Sequence, residues 1–243
     1  MALERATWRT IILAAGMLLA GLAVGQGFLR ARLGDRFVTV KGISEREVRA
    51  DLAIWPLRIA VSDDDLARAQ TRIESHVREI FRFLVRHQLD TAQVTLQDFV
   101  VSDLLTQEYR PAGAAGNRFI IRQTIVVRSD APDRVRAASQ RVGELVNAGV
   151  VLSSGAEYGM GGPTFVFRGL NALKPAMIAE ATARAREAAT QFAQDSRTSL
   201  GGIRRANQGI FEILPRDQAQ GITEASQIDK TIRVVSTVEY TLR

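Results

Sequence analysis

Few residues in this chain have the types and spacing that catalysis or metal binding requires. The sequence holds no cysteine, which excludes disulfides, thiolate metal sites and cysteine nucleophiles. Its two histidines, His76 and His87, are too far apart for the i, i+4 pair of a helical metal site. Neither has a triad partner at a recognisable spacing, so both are predicted to be surface residues. These patterns predict a protein that is not an enzyme and carries no cofactor or metal.

A glycine-rich stretch, Gly159-Met160-Gly161-Gly162, resembles a phosphate-binding loop only superficially. A phosphate loop lies between a strand and a helix and carries a Lys-Ser/Thr pair, whereas Pro163 and a strand follow here. The stretch is therefore predicted to be a connecting loop. If the protein binds a small ligand or a partner, Tyr158, Gly161 and Gly162 are the candidate residues.

Three consecutive aspartates, Asp63 to Asp65, could in principle hold a hard cation. The alternating acidic ligands and distal glutamate of a calcium loop are missing, however. Aspartates before an apolar helical repeat are typical of helix capping, and Ser62 or Asp63 is the predicted cap.

The bulk composition predicts a globular protein with a solvated basic surface. Hydrophobic residues make up 46% and charged residues 24%, whereas aromatic residues make up only 6%, too few for a base-stacking platform. The net charge is +6, but the arginines alternate with acidic residues, as in "RIESHVREIFRFLVR". No nucleic-acid partner is therefore expected.

The N-terminal region is predicted to be a membrane anchor. A short basic tail, residues 1–9, precedes an uncharged run over residues 10–29 and a basic segment over 30–36. A run of that length matches the roughly 20 residues that span a bilayer core, so a transmembrane helix is predicted over 10–29. The alternative is a cleaved signal peptide of a secreted binding module, with Ala23-Val24-Gly25 as the cleavage site.

Gly21 and Gly25 form a G-x-x-x-G pattern within this run. The pattern permits close helix–helix packing, but glycine is also common in membrane helices without such a role. Both interpretations stay open.

Beyond residue 36, strands alternate with three helical patterns, which predicts an α+β domain over 37–243 with a largely antiparallel sheet and three packed helices. One long strand is expected over 44–62. Its apolar residues change from even-numbered to odd-numbered positions beside Pro56, which predicts a bulge there. The predicted helices start near Ser62, at Pro132 (ending near Gly149) and near Ala172 (ending before Gly201-Gly202). Further strands are predicted over 94–103, 119–128, 203–214 and 228–242.

The third predicted helix has a face made mostly of small side chains. It starts at Lys174-Pro175 and continues with small side chains that include Ala181, Ala185 and Ala189. Small side chains allow close packing, either within the monomer or between subunits. These residues are therefore a candidate assembly helix.

The segments "VTVKGISEREVRADLAIWPLRIAV", "LKPAMIAEATARAREAATQFA" and "TIRVVSTVEYTL" resemble the SIMPL-domain family, over about 37–243. The resemblance implies a bacterial cell-envelope protein, related to periplasmic members linked to oxidative-stress defence, that forms ring- or channel-like homo-oligomers. It supplies no catalytic residues. With the predicted anchor, the expected location is the bacterial inner membrane, with a single span in the bilayer and the domain facing the periplasm.

Overall fold

The computed structural model describes residues 14–27, 36–106, 116–153 and 162–243. The helices are α1 (14–27), α2 (Leu66–Arg86), α3 (Pro132–Ser139), α4 (Gly143–Asn147) and α5 (Leu170–Asp195). The strands are β1 (Phe37–Arg49), β2 (Leu52–Asp63), β3 (Val94–Asp103), β4 (Phe119–Ser129), β5 (Thr164–Val166), β6 (Leu200–Pro215) and β7 (Asp229–Leu242).

The chain divides into two compact units. The α5 unit comprises the described residues up to Glu45 together with Lys174–Phe211 and Arg233–Arg243. The α2 unit comprises Arg46–Leu173 and Glu212–Ile232. Each unit has its own sheet region and its own buried apolar cluster.

The α2 unit is built on a four-stranded antiparallel sheet in the order β3-β4-β2-β5. Alternate residues of β2, among them Trp55, Leu57 and Ile59, are buried, as the period of a strand requires. One stripe of α2 packs on this face, and its Phe83 ring contacts Trp55 edge-on at 6.3 Å between centroids. The periodicity correctly predicted a strand and a helix in these two segments, but not where each one begins.

Helix α2 starts later than the sequence suggested. Its N-cap is Asp65, whose carboxylate accepts hydrogen bonds from the backbone N–H groups of Ala67 and Arg68 at 2.8 and 3.1 Å. The predicted cap at Ser62 or Asp63 is wrong because β2 continues through Asp63.

The helix predicted from Pro132 to near Gly149 consists of two short helices, α3 and α4. Between them the backbone N–H groups of Arg141 and Val142 donate to carbonyls three residues earlier, at 2.9 and 3.4 Å. These tighter turns interrupt the i→i−4 ladder, so one helical pattern contains a break.

The long strand predicted over 44–62 also divides in two. Strand β1 ends at Arg49 and β2 begins at Leu52, while the β2–β4 register passes through Pro56 without a shift. The predicted bulge is therefore wrong. Strand β1 belongs to the three-stranded sheet and β2 to the four-stranded one. Within β2 the buried side chains alternate without interruption from Ala53 to Val61, so no change of face occurs beside Pro56.

The α5 unit holds most of an antiparallel three-stranded sheet in the order β1-β7-β6. The Leu242 N–H donates to the Arg36 carbonyl at 2.9 Å, and Ser199 and Arg243 exchange a pair of backbone hydrogen bonds. Helix α5 begins and ends earlier than predicted. Gly201 and Gly202 lie in β6 and do not terminate the helix.

The predicted transmembrane helix over 10–29 is wrong. The described helix covers 14–27, and the remainder of that span lies outside the described residues. In the part of the chain that the structure describes, no helix is both long enough and apolar enough to cross a membrane. The single-pass inner-membrane location, which rested on that helix, is corrected with it. The remaining described structure is α+β with antiparallel sheets.

Candidate functional site

The predicted loop site lies partly within the described residues. Tyr158 and Gly161 fall outside them, whereas Gly162 lines a cavity of about 310 Å³ in the α2 unit. We call this the Arg136 cavity. Its described lining residues are Arg136, Ser139, Gln140, Gly162, Pro163, Thr164, Phe165, Ala225 and Ser226.

One wall of the Arg136 cavity is the C-terminal part of α3. Arg136, Ser139 and Gln140 follow the i, i+3, i+4 spacing that places side chains on one helix face. The Arg136 guanidinium donates to the Asp133 carboxylate at 2.9 Å, and the Ser139 hydroxyl donates to the Arg136 carbonyl at 2.8 Å. This wall therefore presents a positive charge, a hydroxyl oxygen and an amide.

A second wall is the short strand β5. Its pairing with β2 is antiparallel, with Phe165 opposite Ala53 and Thr164 opposite Ile54. The Phe165 side chain is buried in the core of the α2 unit. Pro163, just before β5, also lines the cavity and gives it apolar surface beside the polar groups of α3.

The third wall is a 3-10 turn, Glu224–Ser226, which several contacts hold in place. The Ser226 hydroxyl donates to the Thr223 carbonyl at 2.8 Å and accepts from the Thr223 N–H at 3.2 Å. The ammonium group of Lys230 donates to the Glu224 carbonyl at 2.5 Å and to its carboxylate. Lys230 is fully buried, and a buried ammonium group is tolerated only with such partners.

An exposed ion-pair network adjoins the Arg136 cavity. The Arg49 guanidinium contacts both oxygens of Asp133 at 2.9 Å and also pairs with Asp229 at 3.3 Å, which in turn pairs with Arg216. These groups are mostly solvent-exposed, so each pair contributes little to stability. The network links α3 to the ends of β1, β6 and β7 that belong to the α2 unit.

The two histidines are half-buried, so the prediction that both are surface residues is wrong. The Nε2 atom of His87 lies 3.0 Å from a Glu144 carboxylate oxygen, and its ring packs on Phe83 at 4.4 Å. Nδ1 of His76 is buried without a hydrogen-bond partner. Burial, with a smaller contribution from Arg72, lowers the pKa of His76.

The three aspartates serve local structure. The Arg68 guanidinium contacts Asp63 at 2.8 Å; backbone and Arg68 hydrogen bonds lower the pKa of Asp63. Asp64 accepts from the Arg118 N–H at 2.9 Å, and Asp65 caps α2. Among the described residues, no three His, Asp or Glu side chains are grouped as a metal site.

The candidate assembly helix is packed inside its own unit. Ala181, Ala185 and Ala189 are fully buried against the sheet of the α5 unit. Pro175 is exposed within the helix, and the Lys174 ammonium group lies 5.8 Å from the Phe211 ring centroid. The small side chains therefore serve close packing within the monomer, and a role of α5 in assembly stays a prediction.

Gly21 and Gly25 lie in the described part of α1. A methyl group added at either position would meet nothing within 4 Å. The structure thus places no neighbouring described residue against this G-x-x-x-G pattern, and its role in helix packing stays a prediction.

Sequence reasoning missed an apolar edge. Strand β3 lies at the end of the four-stranded sheet, and several of its large apolar side chains are about half exposed. A register shift marks a bulge between Gln97 and Val100, where Asp98 has a φ of 50°. The half-exposed side chains are Leu96 (50%), Phe99 (48%), Val100 (47%) and Val101 (45%).

The fold and the site define an α+β protein with two antiparallel sheets, a small cavity lined by polar and apolar residues, and an exposed apolar edge strand. Its sequence matches the SIMPL family, described as a protein of unknown function (DUF541), over residues 38–240. The chain belongs to this family, which confirms the resemblance noted in the sequence. Among curated proteins, no relative matches the chain.

Proposed function

We propose that this SIMPL-family protein is not an enzyme and acts by assembling with copies of itself. The observation that carries the proposal is the open apolar edge formed by β3. The resemblance to family members linked to oxidative-stress defence supports a role for the assembly in envelope or oxidative stress.

The apolar core of the α2 unit extends to β4 but leaves β3 half covered. Leu96 pairs with Ile125, and Val101 pairs with Ile121, so these four side chains lie on the face where α2 packs. Ile121 and Ile125 are fully buried, whereas Leu96 and Val101 are about half exposed. A partner that covers this apolar surface removes it from water, which stabilises the complex.

The outer edge of β3 also offers backbone groups for pairing. Among the described strands, whose order is β3-β4-β2-β5, β3 has a hydrogen-bonded neighbour on one side only. An edge strand presents a row of N–H and C=O groups that can pair with another strand. The strand holds no lysine or proline to protect this edge, and its one bulge lies between Gln97 and Val100, at the centre of the strand.

A second copy of β3 is a suitable partner for this edge. An antiparallel pair with a two-fold axis between Asp98 and Phe99 places Thr95 opposite Ser102 and Leu96 opposite Val101. No carboxylate then faces another directly, because Asp98 falls opposite Phe99. The same surface serves both copies, as a two-fold interface requires.

Light scattering during size-exclusion chromatography tests the proposal on the full chain. We expect a mass that is a multiple of the 26.7 kDa monomer. The double variant L96K/V101K places two charges on the half-exposed apolar face of the edge strand and is expected to reduce that mass. Mild detergent in the buffer covers the exposed apolar side chains of α1, such as Met17 and Leu18.

The matched control is Val146→Lys, because Val146 is exposed on α4 of the same unit. It is expected to assemble like the wild type, and circular dichroism verifies that all variants are folded. A wild-type chain that stays monomeric at every concentration would contradict self-assembly. A folded L96K/V101K variant with the wild-type mass would contradict the role of β3.

A further inference from the structure

We propose that the Arg136 cavity binds a small organic carboxylate. This inference is independent of self-assembly, because it rests on a different part of the α2 unit and on different chemistry. The charge, the apolar surface and the well-held turn of the cavity all fit such a ligand.

The described lining of the cavity carries one positive charge and no negative charge. A guanidinium has five N–H donors, and the hydrogen bond to Asp133 uses one of them. The Gln140 amide and the Thr164 hydroxyl can also donate. Because Arg binds planar carboxylates through paired donors, an anionic oxygen group is the ligand that this wall fits best.

The cavity also offers apolar contacts. Pro163 and Ala225 line it together with the polar groups, and Phe165, which is almost fully buried in the core, also borders it. Its volume of about 310 Å³ lies at the lower end of the range for small-molecule sites. A compact hydrocarbon group attached to the carboxylate fits these dimensions, which distinguishes an organic acid from inorganic phosphate.

The buried Lys230 makes one wall of the cavity rigid. Its ammonium group holds the Glu224–Ser226 turn through the Glu224 carbonyl and carboxylate. Burying a lysine is costly unless it is well paired, and a surface turn alone does not require one. The turn places Ala225 and Ser226 in the cavity, so Lys230 preorganises a binding wall, which reduces the entropy lost on binding.

Saturation-transfer NMR and calorimetric titration of the full chain test the inference with three probes: benzoate, acetate and inorganic phosphate. Benzoate is expected to bind saturably, and more tightly than acetate because it adds apolar contact. Phosphate is expected to bind more weakly than benzoate. Tighter binding of phosphate than of benzoate, or no saturable binding of benzoate, would overturn the assignment.

Arg136→Gln removes the charge and is expected to weaken benzoate binding about tenfold or more. Arg136→Lys keeps the charge but loses the paired donors, so its loss is expected to be smaller. The control is Arg141→Gln, because Arg141 is an exposed arginine just beyond α3 and does not line the cavity. Unchanged benzoate affinity in both folded Arg136 variants would refute the proposal.

Discussion

At Gly42 the backbone of β1 lies so close to α5 that a side chain has no space. A methyl group there would lie 1.8 Å from the Ala181 carbonyl oxygen and 2.5 Å from the Ala185 backbone nitrogen. Both contacts involve backbone, which cannot move aside without shifting the helix. The alanines of α5 and the glycine of β1 are thus two sides of one close contact within the α5 unit.

Gly42→Ala is therefore expected to lower the free energy of unfolding by about 1–3 kcal/mol or more, the usual cost of overpacking. Urea unfolding followed by circular dichroism measures the change. Gly143→Ala is the control, because an added methyl group there meets nothing within 4 Å. Equal stability of the Gly42 variant and the wild type would contradict the close packing of α5 on β1.

The free energy of unfolding is expected to depend on pH through His76. Because burial lowers its pKa in the folded protein below the ordinary value of 6.5, the unfolded chain binds the proton more readily. The free energy of unfolding should fall as the pH drops through about 6.5 towards the lower folded pKa. His76→Gln should reduce this fall, measured by urea unfolding at several pH values, whereas the exposed control Ser75→Ala should retain it. An identical pH dependence in His76→Gln would show that another group is responsible.

Among the helices, the N-cap of α2 makes a contribution to stability that can be measured. Asp65→Ala removes the acceptor for two backbone N–H groups and is expected to lower stability by about 1 kcal/mol. Asp65→Asn retains a capping oxygen and is the matched control. Thermal unfolding compares them, and equal losses in both variants would show that the charge of Asp65, not its hydrogen bonds, stabilises α2.

Periodicity predicted the type of most elements but not all their boundaries. It located α2, β4 and β7 because each buries one stripe or face. Strand β3 was also predicted, although none of its side chains is fully buried. It did not separate α3 from α4, since a helical pattern continues across the turn at Arg141 and Val142. It also missed the break between β1 and β2, because parity reports which face is buried and not which sheet a strand joins.

The Arg136 cavity was predictable only in part. Gly162 belongs to the loop that the sequence singled out, and it does line the cavity. Arg136, Ser139 and Gln140 were not selected, although their shared helix face was a detectable signal. Ser226 carried no such signal, because only the tertiary fold brings its turn to β5.

Across the whole molecule, the order of strands in each sheet determines which apolar strands lie at an edge and are exposed to solvent. The sequences of β3 and β4 both predict strands, but β4 is central and β3 is at the edge. Strand order depends on contacts between distant residues, which one sequence does not reveal. For the same reason, the family could be identified from sequence while the candidate assembly surface could not.

The protein holds only three lysines, Lys41, Lys174 and Lys230, among its many arginines. Lys41 is exposed, whereas Lys230 is fully buried within the α2 unit. An amine-acylating reagent will therefore modify Lys41 readily but reach Lys230 only when β7 separates from the Glu224–Ser226 turn. The acylation rate of Lys230 therefore reports how often this part of the molecule opens transiently.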